Sequence, residues 1–483
     1  MAINRLIPMI LLLVATFLVA ACANEGHAAQ HKTTGSFPAS VRVVPIPAID
    51  AAVKEPSSAG TADDPAPSVV PADPPSPTVA RPDSSSPSGG RVIDATTNRP
   101  LAGVTVTLDG KEVVRTDPDG SFPLTHQVDK IAARAPGYTR TEAVLLNGQL
   151  GRPFVELRLQ PFHAKALYLT VYGIGSKVLR NNALSLIAET DLNALVIDMK
   201  GDRGLIPYRS DIPLASAIGA QKIRTVGDIK GLVQSLKEKG IYTIARIVVF
   251  KDNVLGTARP DLAVKTTGGK VWRDREHLIW MDASKKEVWD YNIQIAIEAA
   301  QNGFDEIQFD YVRFPDHKGL KFAVPNTEEN RVGSIMGFLT EARNRLQPYN
   351  VFLSADIFGY AAWNYDDTQI GQRIDKLVPT VDYISLMLYP SGFQLGIPGY
   401  RNPVANSYKI VYLTMKKAQE RTKLPSVHFR PWLQSFRDYA FDRRPFTGVE
   451  IGEQIQAAED FGSEGWMLWN PRNAYSSDGL KRK

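Results

Sequence analysis

The sequence predicts an α/β fold: a (β/α)8 TIM barrel preceded by a small all-β sandwich module. Three observations carry that expectation. Beyond His163 eight apolar strand segments alternate with amphipathic helical stretches, the pattern of a parallel sheet that closes on itself. Residues 90–161 instead show short alternating strands punctuated by Asp109-Gly110 and Asp119-Gly120, a hairpin signature. At 483 residues and 43% hydrophobic content, the chain can bury a barrel of about 250 residues and a second module.

Taken in order, Arg5 precedes an apolar run from Leu6 to Ala21 that closes on Val19-Ala20-Ala21-Cys22. A short apolar stretch behind a basic residue, ending on small residues, reads as an export signal rather than a folded helix. The ending resembles a bacterial lipobox, and Cys22 is the chain's single cysteine. The resemblance implies that residues 1–22 form a lipoprotein signal peptide, cleaved before Cys22 with acylation of its thiol. Ala23, rather than Asp, follows; by the same analogy this implies the outer membrane in a diderm host. The expected product is tethered to the cell envelope through its lipid. Residues 23–89 are rich in Pro, Ser, Ala and Asp and poor in aromatics, too weakly apolar to offset chain entropy, and predict a disordered spacer.

Within residues 90–161 the strands are expected at Arg91-Val92-Ile93, Val104–Leu108 and Val155–Leu159. The run Gly90-Arg-Val-Ile-Asp94, Pro100-Leu-Ala-Gly-Val104, Thr116-Asp-Pro-Asp-Gly-Ser-Phe122 and Ala135-Pro-Gly-Tyr138 resembles the carboxypeptidase regulatory-like β-sandwich. That resemblance implies a spacer or binding platform without catalysis. Asp117 and Asp119 read as turn formers rather than a Ca²⁺ site.

For the barrel, residues 162–483, the strand segments are Ala166–Tyr172, Ala194–Met199, Tyr242–Phe250, Glu306–Val312, Val351–Ile357, Tyr383–Leu388, Val427–Leu433 and Gly465–Trp469. Ser284-x-x-Glu287 and Thr447-x-x-Glu450 read as capping boxes at helix starts. Gly240, Gly303 and Gly462 read as helix stops just before a strand. Val288, Tyr291, Ile295 and Ala299 share one helix face.

Barrels of this kind place their chemistry at the C-terminal strand ends, which turns the strands into a set of candidates. They are Asp198 and Lys200 after strand two, Asp252 after strand three, Asp310 and Arg313 on strand four, and Asp356 on strand five. Tyr389 ends strand six, Arg430 and Trp432 lie on strand seven, and Trp469 and Asn470 end strand eight. Side chains alternate along a strand, so Gln308 shares a face with Asp310 and Ser354 with Asp356. If those faces point inward, Asp310 and Asp356 meet at one mouth, at a spacing suited to the paired carboxylates of glycoside hydrolysis. One carboxyl must hold a proton while the other stays ionised, and Arg313 is the cation expected to favour the ionised role. All seven tryptophans lie in the barrel; Trp363, Trp432 and Trp469 are candidates for stacking on sugar faces, whereas Trp289 and Trp466 read as packing residues.

The segments Ala245–Asp252, Trp289–Asn292, Gly303–Pro315, Met387–Pro390 and Gly465–Pro471 together resemble the glycoside hydrolase domain family DUF4015, over about residues 164–475. That family is similar to α-amylase-like barrels, which implies a nucleophilic carboxylate at the end of strand four, here Asp310. Such barrels commonly carry the acid as a Glu after strand five, where this chain has Asp356.

The composition narrows the rest. A net charge of +5 without a basic stripe speaks against nucleic-acid binding. With one cysteine and no HxH, HExxH, GxGxxG or Walker spacing, no metal and no cofactor is expected. The leading expectation is therefore a hydrolase of an extracellular or cell-envelope polysaccharide. The alternative is a catalytically silent, surface-tethered carbohydrate-binding protein, and a weaker third is a structural envelope protein with an unused barrel. Nothing in the sequence speaks to oligomeric state.

Overall fold

The computed structural model describes residues 42–43, 89–124, 126–145 and 154–483. Cys22, the export segment and nearly all of the spacer lie outside the described residues. Among the described residues no helix is long and apolar enough to cross a membrane.

The N-terminal module is a pair of four-stranded sheets. One holds Gly89–Asp94 between Ser121–Pro123 and Phe154–Leu159, with Arg42–Val43 at its edge. The other runs Glu112–Arg115, Thr105–Leu108, Lys130–Arg134, Thr141–Val144. Val92, Val106, Phe122, Ile131 and Leu157 fill the space between the sheets. Both Asp-Gly turns form as expected. Asp109 and Gly110 have φ of 49° and 68°, the two left-handed residues that a tight hairpin turn demands. Asp119 Oδ1 accepts from the Ser121 N–H at 3.2 Å, a turn former's bond.

The barrel closes with all eight strands parallel: β1 Ala164–Leu169, β2 Ala194–Lys200, β3 Tyr242–Val248, β4 Glu306–Asp310, β5 Phe352–Phe358, β6 Tyr383–Met387, β7 Trp432–Gln434 and β8 Gly465–Trp469. Every predicted segment overlaps its strand, and four strands run one or two residues past their segment at one end. The seventh is shorter than expected, because Ser426–His428 coils into a 3-10 turn before it. Small and medium residues such as Ala166, Val196, Ile244 and Met467 fill the interior, while the other face of each strand packs on the helical layer. The helix Lys286–Gln301 buries Val288, Tyr291, Ile295 and Ala299 together.

Two helix signals resolve differently. Glu450 accepts from the Thr447 N–H at 2.9 Å, completing the predicted box. The Ser284 box does not form: its N–H and hydroxyl both bond Asp282 Oδ1, at 3.0 and 2.7 Å, and the helix starts at Lys286 behind Lys285. Asp282 is a stronger acceptor for the serine than a free helix end is a donor. Gly240, Gly303 and Gly462 all have the positive φ of a helix stop.

The module seals one end of the barrel. Arg140 donates to Asp305 Oδ1 at 3.3 Å and to the Phe304 carbonyl at 3.1 Å. Arg134 reaches Asn350 Oδ1 at 3.3 Å and lies 3.7 Å from Asp382. Asp305, Asn350 and Asp382 immediately precede or sit just before β4, β5 and β6, so the sandwich covers the N-terminal face. The opposite mouth is left open.

Candidate active site

At that mouth the alternation along neighbouring strands brings three aspartates onto one arginine. Asp198 and Arg246 are paired in register on β2 and β3, and Gln308 and Ser354 on β4 and β5. Gln308 Nε2 crosses the interior to the Ser385 hydroxyl at 3.3 Å and the Met467 sulfur at 3.4 Å. The Gln308/Asp310 face therefore points inward. Trp432 Nε1 donates to Asp356 Oδ1 at 2.8 Å from across the barrel, so the Ser354/Asp356 face does too.

Arg246 is the hub. Its Nε donates to Asp310 Oδ2 at 3.0 Å, Nη2 bonds the same oxygen, and Nη1 donates to Asp198 Oδ1 at 2.6 Å. Asp356 Oδ2 lies 4.0 Å from Nε. The distances from Nε to the two carboxylates together bound the Asp310–Asp356 oxygen separation at about 7 Å, within the range of carboxylate pairs that cleave glycosides. The cation that holds Asp310 is thus Arg246, not Arg313 as expected. Arg313 stacks instead over Trp280 and Tyr311, 4.7 and 5.4 Å from their centroids.

The two carboxyls differ in environment. Asp310 receives two guanidinium N–H bonds and the Tyr311 main-chain N–H at 2.5 Å, a donor set that suits an anion. Tyr311 has a φ of 49°, a conformation that costs a non-glycine residue about 1 kcal/mol or more and that turns the chain sharply beside Asp310. Asp356 is 1% exposed. Burial, then the neighbouring Asp310 charge, pushes its carboxyl well above the ordinary carboxylate range, against the pull of Arg246 and the Trp432 bond. Its Oδ2 has no hydrogen-bond partner. Asp198 is also raised by burial, to about 6, with Arg246 and the Tyr168 hydroxyl opposing.

A cleft of about 580 Å³ opens over this cluster, with Asp310, Arg313, Tyr389, Trp469 and Asn470 among the predicted residues on its walls. Trp469 stacks flat on Tyr168 at 4.1 Å, fixing the ring beside Arg246, whose guanidinium carbon is 4.8 Å from its centroid. Asp198 and Asp356 lie under the floor rather than on the wall. Trp432, 1% exposed, orients Asp356 instead of offering its face to a sugar.

Four candidates do not reach the cleft. Lys200 and Asp252 form a fully buried ion pair at 2.7 Å. The reason is a bulge between Asp198 and Lys200, which turns the lysine out of the barrel interior toward Tyr291. Asp252 also caps the helix Asn253–Ala258 through the Leu255 N–H at 2.8 Å. Gly204 packs so closely there that a Cβ would meet Asp252 Oδ1 at 1.9 Å. Arg430 is buried at the sealed end, bonded to Glu306 and Glu464. The Trp363 indole donates to the Thr414 hydroxyl at 3.0 Å, holding it against the helix Ser407–Thr422.

Several wall residues escaped the sequence reading. Arg246 was legible: it occupies the inward register of an apolar strand with Tyr242 and Ile244, and a charge there needs partners. Tyr360, Phe393, Phe436 and Tyr439 come from loops that pack together only in the fold, with Tyr360–Phe393 at 4.9 Å and Phe436 parallel to Tyr439 at 6.2 Å. Among the described residues no group of His, Cys, Asp or Glu is arranged to hold a metal ion; the three aspartates converge on a guanidinium.

The sequence profile of the family described as "Putative glycosyl hydrolase domain", DUF4015, matches residues 166–475, the span that builds the barrel and every wall of this cleft. The chain belongs to that family. A search of the curated proteins finds no match. Among solved structures, the chain is similar to a hypothetical protein of Ruminiclostridium thermocellum (41% identity over 39% of this chain and 96% of that one, TM-score 0.36). It is also similar to the glycoside hydrolase domain of PgaB (BpsB) from Bordetella bronchiseptica (14% identity, 65% and 95% covered, TM-score 0.45). A class V chitinase of Nicotiana tobaccum aligns at 11% identity, with 65% and 96% covered and a TM-score of 0.39. As a member of the DUF4015 family, this chain carries its two central aspartates inside the matched segment.

Proposed function

We propose that the barrel hydrolyses glycosidic bonds of an extracellular or cell-envelope polysaccharide, with Asp310 and Asp356 as the working pair. The observation that carries this reading is the split environment of two inward carboxyls within about 7 Å of each other. Asp310, bonded by Arg246, attacks or stabilises the sugar carbon. Asp356, which keeps its proton, donates it to the leaving oxygen. Tyr389 and Trp469 offer ring surface to the sugar, and Asn470 borders the same cleft. A lipid on Cys22 tethers the chain to the envelope, in the outer membrane of a diderm host, and residues 23–89 give it reach.

The test is a screen of the protein against a polysaccharide panel by reducing-end release, with Asp310→Asn as control. Release that survives this substitution at the parent rate excludes Asp310 from the chemistry. One observation favours a second reading: Asp356 lies beneath the cleft floor at 1% exposure, as it would in a protein that binds glycans without cleaving them. That reading predicts saturable glycan binding with no product from any member of the panel.

A further inference from the structure

The charges on the cleft walls do not balance. Five arginines and three aspartates line it: Arg246, Arg313, Arg437, Arg443 and Arg472 against Asp310, Asp316 and Asp438. Arg246 is consumed by Asp310 and Asp198. Asp438 keeps its charge but not its free oxygens: it accepts from the Ser391 hydroxyl at 2.6 Å and from the N–H groups of Ala440, Phe441 and Arg443 at 2.9–3.1 Å. What remains is four arginines against Asp316 and Asp438, a surplus of two positive charges on the walls, and none of the four makes an ion pair among the described residues.

Arg437, Arg443 and Arg472 are exposed at the cleft rim, on backbone that is held in place. Arg437 and Arg443 ride on a loop closed upon Asp438, with the Arg437 guanidinium bonding the Arg443 carbonyl at 2.5 Å. Arg472 follows Asn470, whose Oδ1 accepts its main-chain N–H at 2.9 Å. Arg313 lies three residues past Asp310, half-buried between aromatic rings, and only one of its N–H groups is bonded, to the Phe314 carbonyl at 3.2 Å. Its guanidinium carbon lies 4.7 and 5.4 Å from the Trp280 and Tyr311 ring centroids, and its other N–H groups, without a partner among the described residues, can grip a carboxylate or sulfate with two bonds. The aromatic rings opposite, Tyr389 and Trp469, suit a sugar face.

We propose that the cleft takes an acidic glycan, one whose sugars carry carboxylate or sulfate groups, with Arg313 gripping the acidic group nearest the scissile bond and Arg437, Arg443 and Arg472 receiving those further along. This rests on the hydrolase reading for the word scissile only; the ligand class follows from the charges. The test measures binding to the Asp310→Asn protein, which holds the ligand without turnover. The probes are oligogalacturonate, oligomannuronate and a heparin fragment, set against neutral chito-oligosaccharide and cationic chitosan oligomers. At least one acidic probe is expected to bind about tenfold or more tighter than both others, with the margin shrinking at about 1 M salt. Replacing Arg437, Arg443 and Arg472 together by Gln removes that margin and leaves neutral-sugar binding in place; Arg313→Gln alone weakens acidic binding by about tenfold. Thermal melting checks that both variants fold. Equal or stronger binding of neutral or cationic oligomers overturns the proposal, as does acidic binding indifferent to both variants. Arginine-dependent acidic binding without cleavage by the parent protein supports the ligand class and sinks hydrolysis. Cleavage of a neutral polymer, with acidic oligomers ignored, does the reverse.

Discussion

The two ends of the barrel carry the same motif with opposite consequences. At the mouth, Arg246 gathers Asp198, Asp310 and Asp356; at the base, Arg430 bonds Glu306 and Glu464, with the Tyr383 ring 4.1 Å from its guanidinium carbon. Both clusters are buried, and both contain a carboxyl that burial pushes upward: Asp356 at the mouth and Glu464, to about 8, at the base. The difference is access. A 580 Å³ cleft opens over the first, while the sandwich, through Arg134 and Arg140, closes the face in which the second lies. A charge cluster with a shifted carboxyl is therefore not in itself a site; it becomes one where a ligand can arrive.

That comparison can be broken in order of expected effect. Asp310→Asn should lower kcat/KM on any accepted glycan by at least about 10³-fold with an unchanged melting temperature, measured by initial rates and calorimetry. Arg430→Met should do the opposite: it strands Glu306 and Glu464 and costs about 3–5 kcal/mol of folding stability, read from the urea midpoint, while kcat of the folded fraction stays at the parent value. A loss of kcat without loss of stability would dissolve the distinction between the two ends.

The pH dependence sharpens it. An acid must hold its proton, so the raised Asp356 carboxyl should keep activity above the ordinary carboxylate range and let it fall as pH climbs past the folded value; a pH profile without an alkaline limb removes Asp356 from the acid's role. The same shift acts on stability. Because the folded state holds this proton more tightly than the unfolded chain, the contribution is present below the ordinary carboxylate value of 3.8 and is lost as pH rises through the raised one. Asp356→Asn should then melt higher than the parent at pH 8, an advantage that disappears near pH 3, while its activity is lost. The smallest effect belongs to Trp432→Phe. Its indole bond lowers the Asp356 value, so removing it should move the alkaline limb upward and cost about 1 kcal/mol of stability.

Much of this was legible in the chain. Period-2 alternation places Asp310 and Asp356 on faces shared with Gln308 and Ser354, and that arithmetic holds because adjacent parallel strands keep register. Apolar runs mark all eight strands, and glycine stops precede three of them. The misplaced residues share a cause: each depends on a local departure from regular geometry or on a distant partner. Lys200 leaves the interior because of one bulge. Arg430 points inward as alternation requires, but precedes β7 and lies one layer too low to reach the mouth. Ser284 bonds Asp282 instead of its helix.

The sequence by itself determined the barrel, the module before it and the strand-end positions of Asp310 and Asp356, since hydrophobic period is a property of short segments; that both face inward came from the structure. The export signal and the Cys22 anchor remain its expectation alone. Only the tertiary structure decided that Arg246 rather than Arg313 holds Asp310, that burial pushes the Asp356 carboxyl upward, and that unpaired arginines line the cleft. Those outcomes depend on which side chains from remote strands and loops meet across a few ångströms of low-dielectric space, and no segment carries that information on its own.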